Sequence, residues 1–297
     1  MKILVSGRNG QLARCLMERA ASRDGIELVS MGRPELDLLR RETLLPALEK
    51  VQPDLVVSAA AYTAVDKAES EPGLVFATNC DGAGALASAA ARMGVGVVHI
   101  SSDYVFAGDN GKPYDEGDPA APLGEYGRSK YAGELAVKAA NPKHVILRTA
   151  WAHSPYGSNF IRTMLKLAGS RGTIDVVADR FGSPTSMLDV ADAILHLAGR
   201  LDDDHWGLYH LTCRGSTSWA GLARHVFAAS RAVGGPWAEV RDISGDDYKA
   251  AAPRPVASVL NSNLFERRFS WAMPSWQESA TEVTRRIASE MVDMPVS

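Results

Sequence analysis

The chain has 297 residues, 46% hydrophobic and 23% charged, with a net charge of −3. That balance suits a globular protein of two domains, or of one large domain with a smaller lobe. Basic and acidic residues are mixed along it, which argues against a nucleic-acid partner, and no apolar run suits a membrane span.

Lys2 to Ser6 is an aliphatic run of the kind found in strands buried on both faces. Gly7-Arg8-Asn9-Gly10-Gln11-Leu12-Ala13 follows, and Leu12, Leu16 and Ala20 then share one helical face. A strand, a glycine turn and a helix make a phosphate site. The glycines admit the backbone of a ligand, and the helix start offers free N–H groups and a partial positive charge. The spacing is Gly-x-x-Gly-x-x-Ala, not the commoner Gly-x-Gly-x-x-Gly, and the plainer reading is an ordinary strand-to-helix turn. Its place before a regular strand–helix alternation favours a dinucleotide, with Gly7, Asn9, Gly10, Gln11 and Leu12 as cofactor residues.

Glu27 to Ser30 is the second strand. An NAD-binding chain usually has an acid at its end to hold the ribose 2′-hydroxyl. Here Ser30-Met31-Gly32-Arg33 offers none, and Arg33 suits a 2′-phosphate, which tips the expectation slightly towards NADPH over NADH. Asp37 and Leu38 are placed beside the adenine. Asp54 to Ser58 is the third strand, and the small Ala59, Ala60 and Ala61, with Tyr62 and Thr63, let a flat cofactor lie on the strand ends. Glu71 to Met93 reads as one long alanine-rich helix containing Asn79.

Gly96 to Ile100 is a strand that delivers Ser101 and Ser102. Tyr126-Gly127-Arg128-Ser129-Lys130 opens a helix, with the phenol and the ammonium one turn apart. A tyrosine titrates near ~10, so it needs help to move protons at neutrality; a nearby cation lowers that value, and Lys130 is expected to do this. Ser102 is placed to hold a carbonyl oxygen against the phenol. Val145 to Thr149 is the next strand, ending at Trp151.

Beyond it the pattern changes. Asn159 is expected to cap a helix through Leu167, Asp189 another through Leu201, and Ser218 to Ala232 a third. Ser275-Trp276-Gln277-Glu278 reads as a capping box. The expected fold is therefore α/β: a Rossmann-type doubly wound parallel sheet over residues 1–150, with the return of some later segments to it left open, and over 151–297 mainly a smaller α/β substrate lobe to which a specificity pocket belongs. Cys15, Cys80 and Cys213 lie far apart with no Cys-x-x-Cys pair, and Met1-Lys2 leads straight into a strand. Both point to a cytoplasmic protein with no targeting segment.

In order, Gly7-x-x-Gly10-Gln11, Ala64-Val65-Asp66-Lys67-Ala68-Glu69, Ser102-Asp103-Tyr104-Val105-Phe106, Tyr126-Gly127-x-Ser129-Lys130, Arg148-Thr149-Ala150-Trp151, Phe181-Gly182-Ser183-Pro184-Thr185 and Arg254-Pro255 resemble the dTDP-4-dehydrorhamnose reductase family of extended short-chain dehydrogenase/reductases. The resemblance runs over nearly the whole chain. It implies that NADPH or NADH reduces the C4 ketone of a sugar nucleotide, dTDP-4-dehydro-L-rhamnose. Tyr126 would supply the proton, and Lys130 would bind the nicotinamide ribose and tune the phenol. Ser102 stands where the family usually has threonine. Asp103, Tyr104 and Trp151 would contact the sugar nucleotide, and Arg254 the diphosphate. Without the family, Trp151 reads as core.

Two departures stand out. His153 takes the place of a frequent tyrosine, and Cys15 the place of a glutamate that holds a divalent metal at some dimer interfaces, so no metal is expected. A homodimer is left open. The alternatives are another 4-keto sugar-nucleotide reductase, an epimerase or dehydratase on the same scaffold, and a non-catalytic nucleotide-binding regulatory subunit. A dehydratase would carry an acid where Tyr104 stands, and the intact Ser102, Tyr126 and Lys130 argue for catalysis.

Overall fold

The alternation of aliphatic runs and amphipathic segments in the first half builds a parallel sheet. A computed structural model describes residues 1–293. Its first elements are β1 (Lys2–Ser6), α1 (Gln11–Ala20), β2 (Glu27–Met31), α2 (Leu44–Val51), β3 (Leu55–Ser58), α3 (Val65–Ala68), α4 (Pro72–Phe76), α5 (Ala83–Arg92), β4 (Gly96–Ser102), α6 (Glu125–Ala140) and β5 (His144–Thr149). Then come β6 (Ala152–His153), α7 (Phe160–Ala168), β7 (Thr173–Val177), β8 (Phe181–Gly182), β9 (Thr185–Ser186), α8 (Met187–Ala198), β10 (Gly207–His210), β11 (Thr217–Ser218), α9 (Trp219–Arg231), β12 (Glu239–Ile243), α10 (Asn263–Phe269) and α11 (Trp276–Asp293).

The main sheet has six parallel strands in the order β10-β5-β4-β3-β1-β2. Side chains alternate across it, as the strand period requires. Ile3, Val5, Leu55, Val57, Val98 and Leu147 face one core with α1, α8, α9 and α11. Leu4, Val56, Val97 and Ile146 face the other, with α2, α5 and Val137 of α6. Both faces are covered, which is why these strands read as continuous apolar runs. The order reverses between β1 and β3, so a crevice opens there at the carboxyl ends of the strands. Among the described residues β2 is the edge of the sheet.

Several expectations are met at the level of single caps. The Asn159 side chain accepts from the Arg162 N–H at 3.1 Å and starts α7. The helix expected from about Ser218 is α9, and Ser218 proves to cap it by accepting from Gly221 N–H at 3.1 Å, a role not read from the sequence. Ser275 and Glu278 form the reciprocal box ahead of α11, with bonds of 3.0 and 3.3 Å to each other's N–H.

Two readings are corrected. The helix expected from Glu71 to Met93 is interrupted: α4 and α5 are joined by a π-helical turn over Ala77–Gly82. The wider turn seats Asn79 inward, where its amide is satisfied by Tyr62 and Ser129. The cap of α8 is Ser186, whose hydroxyl accepts from Leu188 N–H at 3.2 Å. Asp189 lies inside the first turn, and its carboxylate takes a 2.6 Å bond from Ser279 instead. One later segment does return to the parallel series, which the sequence leaves open: β10 pairs in parallel with β5. A four-residue strand with a mixed flank carries too little periodicity for that to be read locally.

Candidate active site

The first half of the site is the turn between β1 and α1. Gly7 has φ +101°, a conformation glycine adopts without strain, and a side chain there would also press on Ala60 at 3.4 Å. Gly10 precedes α1 with no side-chain cap, no acid follows in the first turn, and space above its Cα is open. Free N–H groups, a helix dipole and no competing anion fit a diphosphate. The Ser6 hydroxyl accepts from the N–H of both Ala59 and Ala60 at 3.1 Å, which folds the end of β3 back towards the turn. Ala61 and Tyr62 are half-buried beyond it, and Thr63 is exposed. These groups suit a dinucleotide.

The remaining cofactor candidates are placed unevenly. Asn9 and Arg33 are exposed, and Leu12 is buried beneath the turn. Gln11 faces the other way in part: its side-chain oxygen accepts from Ser154 at 2.9 Å and from Asn159 at 3.0 Å. Asp37 accepts from the Leu39 N–H at 3.1 Å and shapes its own loop, while Leu38 packs tightly under Gly82. An acid does stand beyond β2. Glu35 pairs with Arg8 of the glycine turn at 3.1 Å, and Gly32 lies against the same Arg8 backbone.

The second half gathers at the end of β4. Ser102 is buried; its hydroxyl donates to the Asp103 carboxylate at 3.0 Å and accepts from Tyr104 N–H at 3.2 Å. Tyr126, in the first turn of α6, stands beside Ser102 and meets the Tyr104 ring edge to face at 5.5 Å. Burial pushes the Tyr126 phenol well above its usual range; the Ser102 hydroxyl opposes this and the Asp103 charge adds to it. The expected lowering by Lys130 is therefore corrected. The Lys130 ammonium is turned to the Ile100 carbonyl, to which it donates at 2.6 Å. Burial lowers Lys130 itself to about 8, against a raising effect of Glu134. At neutral pH the pair is a protonated phenol and an ammonium.

Around it lie the substrate candidates. Asp103 is buried and raised to about 6 by desolvation, although Ser258 donates to its second oxygen at 2.5 Å and Ser102 to the first. Burial also raises Tyr104, to about 12, with the Arg254 guanidinium beside it opposing. Arg254 pairs with Asp66 at 2.9 Å, and its Nη1 is buried without a protein partner, an orphaned cation edge that suits a phosphate oxygen. Trp151 adopts φ +45°, rare for a bulky residue. Its indole stacks on Trp219 at 3.5 Å and 7°, and Gly182 lies closely against it. One aromatic face expected for the sugar is thus covered by Trp219. His153 is buried, bonded through Nδ1 to the Trp151 carbonyl at 3.2 Å, and desolvation holds it neutral, down to about 4. Cys15 is buried and its thiol is pushed up to about 12.

Several residues gain a place that sequence reasoning did not give them. Glu69 accepts from the Glu125 N–H at 2.8 Å and so caps the helix that carries Tyr126 and Lys130. Asp66 takes the Ala252 N–H at 3.1 Å besides Arg254. Both belong to the Ala64–Glu69 motif, so the signal was present but not its meaning. Asn79 binds Tyr62 N–H at 2.8 Å and donates to Ser129 at 3.0 Å, which joins the cofactor crevice to α6. Two glycines of α6 are also explained. A side chain at Gly127 would strike the Tyr104 carbonyl, and one at Gly133 the Asn79 carbonyl.

A doubly wound sheet with an uncapped glycine turn at its switch point, and a serine–tyrosine–lysine unit at the end of the fourth strand, defines an extended short-chain dehydrogenase/reductase. Comparison with known proteins narrows the class. The family model described as RmlD substrate binding domain matches residues 1–289. A dTDP-4-dehydrorhamnose reductase of Sinorhizobium fredii is 45% identical over 97% of this chain and 96% of its own length. One from Burkholderia thailandensis is 41% identical, over 98% and 100%. Among solved structures, the dTDP-4-dehydrorhamnose reductase of Bacillus anthracis in complex with NADP superposes with a TM-score of 0.88 at 34% identity, over 95% of this chain and 98% of that one. The chain belongs to the dTDP-4-dehydrorhamnose reductase family.

Proposed function

We propose that this protein is a cytoplasmic enzyme that reduces the C4 ketone of dTDP-4-dehydro-L-rhamnose to the alcohol of dTDP-L-rhamnose, with NADPH or NADH as reductant. The observation that carries the reading is the Ser102–Tyr126 contact with Lys130 one helical turn further on. No helix of the described residues is long and apolar enough to cross a membrane.

Gly7, Gly10 and the first turn of α1 would hold the cofactor diphosphate, and Ala59, Ala60 and Ala61 the flat part of the dinucleotide. The reduced nicotinamide, when bound, supplies the hydride. Ser102 holds the ketone oxygen beside the phenol. Tyr126 gives its proton to that oxygen as the carbonyl becomes an alcohol. Tyr126 carries its proton at neutral pH, as a general acid must, although burial makes the phenol a weaker donor until the site is occupied. The Lys130 ammonium then stabilises the phenolate until a proton returns. Arg254 and Tyr104 would receive the sugar nucleotide, with Trp151 on the lobe side. Residues 1–150 would hold chiefly the cofactor and 151–297 chiefly the substrate.

The test is loss of NADPH absorbance when the purified protein meets dTDP-4-dehydro-L-rhamnose, with the C4 configuration of the product read by NMR. Turnover that disappears in Tyr126→Phe supports the reading. Full activity in that variant, or no turnover by a protein that binds NADPH, overturns it.

A further inference from the structure

Beneath the catalytic trio lies a buried charged cluster that the mechanism above does not use. Glu134, one turn beyond Lys130 on α6, is forked by Arg148 of β5: Nε meets Oε1 at 2.8 Å and Nη2 meets Oε2 at 2.7 Å. The side chains are only 5% and 4% exposed, so neither charge is dissipated into water. Oε1 also receives the Ser101 hydroxyl at 2.5 Å. The end of β4 is thereby fastened to α6 at two levels one turn apart, by Lys130 to the Ile100 carbonyl and by Ser101 to Glu134. Ser102 is the next residue. Its position against Tyr126 follows from where those two fastenings hold the strand.

We propose that Glu134 is a positioning residue for the reduction: it fixes the β4 end against α6 and keeps Lys130 charged. The proposal rests on the catalytic reading given above. The charged and titratable groups around Lys130 are Glu134 and Tyr126 on α6, His99 and Asp103 at β4, and Arg148 on β5 behind Glu134. His99 is buried and its ionisation is opposed by Lys130, so it stays neutral. Asp103 faces Ser102 and Ser258. Arg148 is spent on Glu134, and its guanidinium lies over the Phe106 ring at 4.9 Å. That leaves Glu134 as the anion one turn from the ammonium. Neutralising it lets desolvation move the lysine further down.

Glu134→Gln alone would strand a buried guanidinium, so the test pairs it with Arg148→Gln. In the double variant, the alkaline limb of kcat should move to lower pH. At about pH 8, kcat should fall roughly tenfold relative to wild type, and at about pH 6 by less than roughly threefold. A purely structural role would lower kcat by one factor at every pH, and that result would overturn the proposal. Ser101→Ala keeps both charges and loses only the strand fastening. It should lower kcat several-fold with the pH limb in place, and an unchanged kcat would count against positioning. It also keeps the test alive if the double variant does not fold.

An activity-free readout separates this proposal from the functional one. NADPH binding, followed by fluorescence across pH, should weaken at lower pH in the double variant than in wild type. Movement of that binding limb without any turnover of dTDP-4-dehydro-L-rhamnose would sink the substrate assignment but not the role of Glu134. Turnover with an unmoved limb would do the reverse.

Discussion

The two halves of the site are built differently. The cofactor half is local: Gly7 to Leu12 do their work within one turn and the start of one helix, and the spacing of Tyr126 and Lys130 on α6 is local too. The substrate half is assembled across the chain. Arg254 meets Asp66 across 188 residues, and Ser258 meets Asp103 across 155. A local motif announces itself by spacing. A long-range pair announces only its members, because nothing in the sequence states which acid meets which base. The contrast also suggests how each half should fail: a change in the local unit should remove chemistry, whereas a change in the long-range unit should loosen the grip on substrate.

The largest effect expected is on chemistry. Tyr126→Phe should lower kcat by roughly 10²–10⁴-fold, the usual worth of a positioned acid, with the circular dichroism spectrum unchanged. Next comes the seam between the halves. Gly133→Ala would drive a methyl into the Asn79 carbonyl and should cost roughly 1–3 kcal/mol of stability, read by chemical denaturation. A wild-type midpoint in that variant would show that α6 has slack against the π-helical turn. Asp66→Ala frees Arg254 and the Ala252 N–H; KM for the sugar nucleotide should rise on the order of tenfold, with kcat little altered. If kcat fell instead, the strap at Ala252–Arg254 would belong with the chemistry and the contrast would fail.

The pH dependence sharpens the same comparison. Lys130 is held down to about 8 by burial, below the usual lysine range. Its charge is therefore present below about pH 8 and lost as pH rises through that value, and kcat should decline on that side. Titration of turnover over this window checks it. The smallest effect belongs to a cap of the lobe, where Asn159→Ala should cost about 1 kcal/mol of stability and leave the pH profile alone.

Much of this was legible in the residues. The parallel sheet, the glycine turn, the tyrosine–lysine helix and the caps at Asn159 and Ser275 all rest on periods and spacings within a few residues. The misreadings have a common source. Asp189 looked like a cap because the rule asks only for an acid before an apolar run, while Ser186 was closer to the first free N–H groups. Glu71 to Met93 looked like one helix because alanine favours helix everywhere, and nothing local shows that Asn79 must turn inward.

The sequence by itself settled the α/β alternation, the glycine turn ahead of α1 and the one-turn spacing of Tyr126 and Lys130, because each depends on neighbours along the chain. Only the tertiary structure decided that burial pushes the Tyr126 phenol upward, that Trp151 rests on Trp219, that Glu69 caps α6 and that Glu134 pairs with Arg148. Those outcomes depend on desolvation and on contacts between distant segments, and both exist only after the chain has folded.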